Sequence, residues 1–194
     1  MNSGSSHGKE TCLKRRTFLT AAASAFPLTL TQPFALAIDS SETSAKEIHV
    51  VGADKDRFNE SHAPGYSEIR FKTSSEETPS IFAIEHSNLL PGGPPIHLHF
   101  EQDEWFYVIE GEVLFQVGNR RVQLKAGESV LGPRRIPHAF TAVGATPARM
   151  LIVFTPAGKM ERFFRDTAAL GPQQSAAVYG HYGMKRLGPP LKAT

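Results

Sequence analysis

Between residues 47 and 156, apolar and polar positions alternate in short runs rich in β-branched and aromatic residues. The segment Ile96-His97-Leu98-His99-Phe100 shows the pattern, and Glu104-Trp105-Phe106-Tyr107-Val108-Ile109 follows it after a short polar turn. Such runs predict half-buried strands. By this reading strands cover 47–51, 68–73, 80–85, 96–100, 104–109, 113–117, 121–124, 129–131, 138–142 and 148–154. Turn residues separate them, among them Gly65, Pro91-Gly92-Gly93-Pro94-Pro95, Glu110-Gly111, Gly118-Asn119, Ala126-Gly127 and Gly144. Many short strands at this spacing predict an all-β jelly-roll barrel over 47–156, not a parallel α/β sheet. No internal repeat divides it, so one barrel unit is expected. Beyond Pro156-Ala157-Gly158 the period becomes helical. Met160, Phe163, Phe164 and Ala168 share one face, and Gly171-Pro172 ends the helix. A second short helix is predicted over 173–182. Residues 157–194 thus read as a helical tail, packed on the outside of the barrel or on a partner subunit, with its Met/Phe stripe serving packing.

Composition changes this picture at the N-terminal end. The formal charge is +2, but residues 1–37 hold Lys9, Lys14, Arg15 and Arg16 against Glu10 alone. The remainder is close to neutral and gives no reason to expect nucleic acid as a partner. A mildly apolar stretch from Thr20 to Leu36 is interrupted by Pro27 and Pro33 and ends in Ala35-Leu36-Ala37. That is the layout of a cleavable export signal, not of a membrane span. Arg15-Arg16 followed by Phe18-Leu19 resembles the bacterial twin-arginine signal, with Lys14 and Thr20 departing from its usual residues. Residues 1–37 are therefore expected to direct export to the periplasm or medium and to be cleaved after Ala37. Residues 38–46, rich in Ser, Thr and Glu, read as a linker. The single cysteine, Cys12, lies in the leader, so any metal in the body must be held by histidines and carboxylates.

The candidate chemistry lies in Pro95-Ile96-His97-Leu98-His99-Phe100-Glu101-Gln102-Asp103-Glu104. Residues two apart on a strand share a face, so His97 and His99 point together into one cavity. Glu104, after a tight turn, begins a strand that faces them. A later strand headed by His138 supplies a third imidazole. His97, His99, Glu104 and Gly111 fit the first metal-binding motif of the cupin superfamily, and Gly127, Pro133 and His138 fit the second. The sequence departs from these motifs at Gly92, one position from its usual place, at Arg135, where Gly is usual, and at Ala142, where Asn is usual. The resemblance covers residues 80–156 and implies a cupin barrel that holds one divalent ion on His97, His99, Glu104 and His138.

Such a ligand set suits Fe(II), Mn, Ni, Co, Cu or Zn and leaves coordination positions open, as catalytic sites do. Strand parity places Phe106, Val108, Phe115 and Phe140 beside the ligands as candidate pocket walls. The tail resembles that of single-domain bacterial cupins described as quercetin-dioxygenase-like. That resemblance implies a dioxygenase acting on an aromatic or enol-bearing small molecule with O₂, with Glu104 as metal ligand and general base. The other readings are a non-catalytic periplasmic metal- or ligand-binding cupin and a metal-dependent isomerase or lyase. Glu101 reads as solvent-exposed, with a place at the site mouth as the other reading; Asp103 reads as a turn residue, Arg134 and Arg135 as a solvated turn or a contact for an anionic substrate, and His49, His62, His86 and His181 as core or surface histidines. Cupins are often homodimers, and the Phe-rich tail suits such an interface.

Overall fold

The computed structural model describes residues 48–171 and 174–193. The leader and linker, Glu47 and the Pro172-Gln173 step lie outside the described residues. Among those described, the chain runs β1 (Glu68–Phe71), β2 (Phe82–Leu89), β3 (Pro95–His99), β4 (Asp103–Glu110), β5 (Glu112–Val117), β6 (Arg120–Lys125), β7 (Ser129–Gly132), β8 (His138–Val143) and β9 (Ala148–Thr155). Helices α1 (Met160–Thr167) and α2 (Ala176–His181) follow, then β10 (Met184–Pro190). The strands form two five-stranded antiparallel sheets, ordered β1-β2-β9-β4-β7 and β10-β3-β8-β5-β6. This is the expected jelly-roll barrel with short helices near its C-terminal end.

The alternation along each strand decides which side chains fill the barrel. On β4, Glu104, Phe106 and Val108 are buried while Trp105, Tyr107 and Ile109 are only partly covered. β9 lies beside it in a register that sets Phe106 against Ile152 and Val108 against Met150. From the opposite sheet, Phe115 pairs with Phe140 on the inner face. Phe71, Phe82, Phe106, Phe115 and Phe154 are almost wholly buried, each contributing about 1.5–3 kcal/mol of burial. The β4–β5 turn needs Gly111, whose φ is +73° and whose added Cβ would lie 2.9 Å from Ala148 Cα.

Three expectations require correction. Residues 48–51 form no strand; Ile48 and Val50 are exposed, with no neighbouring strand to pair with. The tail is not purely helical, because β10 joins the second sheet as the neighbour of β3. Nor does the tail simply cover the outside of the barrel. Met160 and Phe163 of α1, and Tyr179 of α2, pack into the same core cluster as the barrel's phenylalanines. Glu161 anchors α1 to the β1–β2 loop, accepting hydrogen bonds from Ser75 N and Oγ at 2.7 Å each. Ser175 caps α2 by accepting from Val178 N at 3.3 Å.

Candidate metal centre

Both sheets contribute to one buried cluster. β3 brings His97 and His99, β8 brings His138, and β4 of the facing sheet brings Glu104. Their candidate ligand atoms all lie within 4.8 Å of one another. Strand parity accounts for the pair on β3, where His97 and His99 are buried while Ile96 and Leu98 are only partly so. Register accounts for His138, which stands opposite His97.

Backbone carbonyls orient two of the rings. His97 Nδ1 lies 2.8 Å from Pro95 O, and His138 Nδ1 lies 3.0 Å from Ile136 O. Each Nδ1–H donates to its carbonyl, which leaves both Nε2 atoms for the cluster. His138 Nε2 is 2.8 Å from Glu104 Oε2. His99 Nε2 is 3.1 Å from the same oxygen but not aligned as a hydrogen bond, and neither ring nitrogen of this fully buried histidine has a hydrogen-bond partner. Two buried imidazole nitrogens left unpaired are costly, and a cation coordinated at Nε2 would satisfy one of them. Three imidazoles and one carboxylate converging on a single point fit a divalent transition metal.

Electrostatics within the cluster are strongly coupled. Burial raises the Glu104 carboxyl, but the hydrogen bond from His138 and the proximity of His99 outweigh it and hold the group well below the usual carboxylate range. Burial lowers His138, yet its hydrogen bond to Glu104 leaves it raised overall. His97 is pushed down to about 3 by burial, with repulsion from His138 and His99 adding to the effect.

A cavity of about 60 Å³ opens beside the ligands and is bordered by His97 and Glu104. Of the four pocket residues expected from strand parity, Phe140 lines it. Phe106, Val108 and Phe115 instead belong to the closed core, at 1% exposure or less; they share the ligands' face but lie at another depth in the barrel. The rest of the wall comes from residues that sequence reasoning set aside. Tyr66 and His86 line it, as do Phe163 and Phe164 of α1, Gln174, and Tyr179 of α2. The Tyr179 ring meets His97 edge-on at 5.5 Å between centroids. Burial raises the pKa of both Tyr66 and Tyr179, so both remain neutral phenols.

The remaining candidates lie elsewhere. Asp103 accepts from Arg134 N at 2.8 Å and from its guanidinium at 3.0 and 2.7 Å. This pairing holds the Asp103 carboxyl at about 2. Glu101 is exposed. Arg135 has a φ of +64°, a left-handed conformation that glycine adopts readily, and donates its N–H to His99 O at 2.7 Å. The departure at this position is thus carried in the side chain, while the backbone keeps a turn suited to glycine.

Comparison with known proteins agrees with this geometry. Residues 86–154 match the family model of the cupin domain, in keeping with the jelly-roll strand order of the two sheets. An RmlC-like cupin from Shewanella frigidimarina superposes with a TM-score of 0.50 at 20% identity, covering 60% of this chain and 96% of that one. A variant of Streptomyces Pac13 with uridine gives a TM-score of 0.52 at 11% identity, covering 75% and 95%. At these identities the likeness is one of fold. An uncharacterised protein of Methanocaldococcus jannaschii is 28% identical over 61 residues, 31% of this chain and 49% of its own length. The chain thus spans about half the length of that curated relative.

Proposed function

We propose that the protein is a metal-dependent cupin enzyme, a dioxygenase acting on an aromatic or enol-bearing small molecule. One observation carries this reading: the four-residue cluster borders, through His97 and Glu104, a mostly apolar cavity, where a structural metal would be sealed by protein on every side. A bound divalent ion would supply Lewis acidity to a substrate hydroxyl and, in a redox-active form, a meeting point with O₂.

The chain's own residues supply the rest. His97 and His138 are fixed in one tautomer by their carbonyl partners. Glu104 is held ionised, and its Oε2 faces the imidazoles. Its Oε1 has no hydrogen bond among the described residues and is the atom that would accept the substrate's hydroxyl proton. The phenylalanine walls exclude water from that transfer. We further propose that residues 1–37 direct export by the twin-arginine route, on the strength of Arg15-Arg16 and the Ala35-Leu36-Ala37 ending. Among the described residues, no helix is long and apolar enough to cross a membrane.

The test is O₂ uptake by protein loaded separately with Fe(II), Mn, Ni, Co and Cu, against a panel of enols, catechols and flavonols. Glu104→Gln should lower turnover by about 10²–10⁴-fold while the protein retains metal, as loss of a general base does. Absence of turnover with every metal and substrate would sink the dioxygenase reading and leave a metal- or ligand-binding cupin. N-terminal sequencing of the exported protein tests the leader: a mature chain beginning at Ile38 is expected.

A further inference from the structure

Six polar side chains line the cavity without belonging to the ligand set, His62, Tyr66, His86, Thr167, Gln174 and Tyr179, and three of these, Tyr66, His86 and Tyr179, carry the argument. They come from separate parts of the chain, the segment before β1, β2 itself and α2. Neither tyrosine hydroxyl has a hydrogen-bond partner among the described residues. His86 Nδ1 lies 2.7 Å from Ser67 Oγ, so the Ser67 hydroxyl fixes the ring and leaves Nε2 for the cavity. The Tyr66 ring lies nearly parallel to His86, at 6.1 Å between centroids. The charge of Glu104 is felt at Tyr66, His86 and Tyr179 alike, which places all three within electrostatic reach of the ligand set. Hydroxyls on a cavity wall that are not engaged by the protein are free to donate to a bound molecule.

We propose that Tyr66, His86 and Tyr179 form the substrate-recognition wall of the site. They would take the second oxygen of a compact, uncharged molecule, such as an α-hydroxy ketone or keto-enol, whose first oxygen faces the metal ligands. This rests on the metal-dependent reading above. Two features set the substrate class. Among the described residues no Lys or Arg lines the cavity, so a carboxylate or phosphate held at this wall would find no side-chain cation to pair with it. Neutral phenols instead donate to carbonyl or hydroxyl oxygen. Size is the second feature: about 60 Å³ is room for a handful of waters, at ~10–15 Å³ each, which favours a small ligand over a polycyclic one. Phe140, Phe163 and Phe164 would hold its hydrocarbon part.

Hydroxyacetone and pyruvate test this directly, because they match in size and differ in charge. Binding of each is measured by calorimetry to protein loaded with Zn, which keeps redox chemistry out of the measurement, with metal content determined in parallel. Hydroxyacetone is expected to bind more tightly than pyruvate. Tyr66→Phe and Tyr179→Phe should each weaken hydroxyacetone about tenfold, which is 1.4 kcal/mol, at unchanged metal stoichiometry. Ser67→Ala, which frees His86 without altering it, should weaken it in the same direction. Tighter binding of pyruvate, an unchanged Kd in both Phe variants, or no binding of hydroxyacetone by the loaded wild type would each overturn the proposal. Failure of the wild type to take up metal would sink the metal-dependent reading instead. The wall would then be judged on metal-free protein, supported by hydroxyacetone binding that the Phe variants lose and overturned by its absence.

Discussion

His97 stands directly across the β3–β8 pairing from His138, with ring centroids 4.7 Å apart. Two strands distant in sequence thus deliver adjacent imidazoles to one point, and each histidine is useful only in the presence of the other. His97→Ala and His138→Ala should each reduce bound metal from about one equivalent to near zero, and the double variant should lose little more. Elemental analysis after dialysis measures this. The thermal stabilisation that metal confers on the wild type, RT ln(1 + [M]/Kd), should be absent in each variant.

Metal affinity should rise with pH across the neutral range. In the metal-free protein His138 holds its proton to a higher pH than an ordinary histidine, because of Glu104, whereas His97 is pushed down to about 3 and is already neutral. An incoming ion must displace the proton on His138 and no other from that pair. Calorimetry in buffers of different ionisation enthalpy should show proton release on metal binding that falls as the pH rises past the His138 pKa. Release that does not change across that range would contradict the assignment to His138.

Stability of the metal-free protein should decline in mild acid. His97 and His86 are both depressed, to about 3 and about 4, chiefly by burial. Their contribution is present above the ordinary histidine value of about 6.5. Below it the unfolded chain takes up protons that the fold refuses, so stability falls as the pH drops towards 4 and then 3. Melting temperatures measured in the metal-free state should decrease steadily from pH 6.5 to 4.

Gly93→Ala should be among the most damaging single-methyl additions in the barrel. Gly93 has a φ of +102°, and an added Cβ would lie 2.0 Å from Phe140 O, a backbone atom that cannot move aside. A loss of about 3 kcal/mol or more is expected from strain and displaced backbone, read from urea unfolding. Because the same turn packs against the strand that carries Phe140, cavity binding should weaken in whatever fraction still folds.

Arg135→Gly should have the opposite sign. The arginine occupies a left-handed conformation at a cost of about 1–2 kcal/mol, and the hydrogen bond from its N–H to His99 O belongs to the backbone and survives substitution. Against the greater freedom of glycine in the unfolded chain, a net gain of roughly 0.5–1 kcal/mol is expected. A loss exceeding 1 kcal/mol would show that the guanidinium, 3.4 Å from Phe100 O, matters more than the strain.

The four-residue cluster was legible in the sequence because strand alternation assigns a face. His97 and His99 share parity, and their neighbours Ile96 and Leu98 take the other side. Parity does not assign depth, however. Phe106 and Phe115 share the inner face of the barrel with the ligands, yet they lie in the core, away from the cavity. His86 was read only as a core or surface histidine for a related reason: residues Phe82 to Ser87 are all buried, so that stretch of β2 has no in-out alternation to mark a special side chain. β10 was hidden by Gly188-Pro189-Pro190, residues that weaken a strand and are tolerated at the edge of a sheet. The contribution of α1 and α2 to the cavity was equally out of reach, since helical periodicity shows which face is apolar but not what it packs against.

The position of β10 bears on when the metal centre can be assembled during synthesis. β3, which carries two of the ligands, pairs with β8 only at His97–His138, whereas β10 pairs with it at four positions, setting Met184 opposite His99 and Arg186 opposite His97. A nascent chain that has not yet released residue 190 from the ribosome therefore lacks the main partner of its histidine strand. The framework around the four-residue cluster is therefore complete only once β10 has emerged, well after the last of the cluster's own residues, His138.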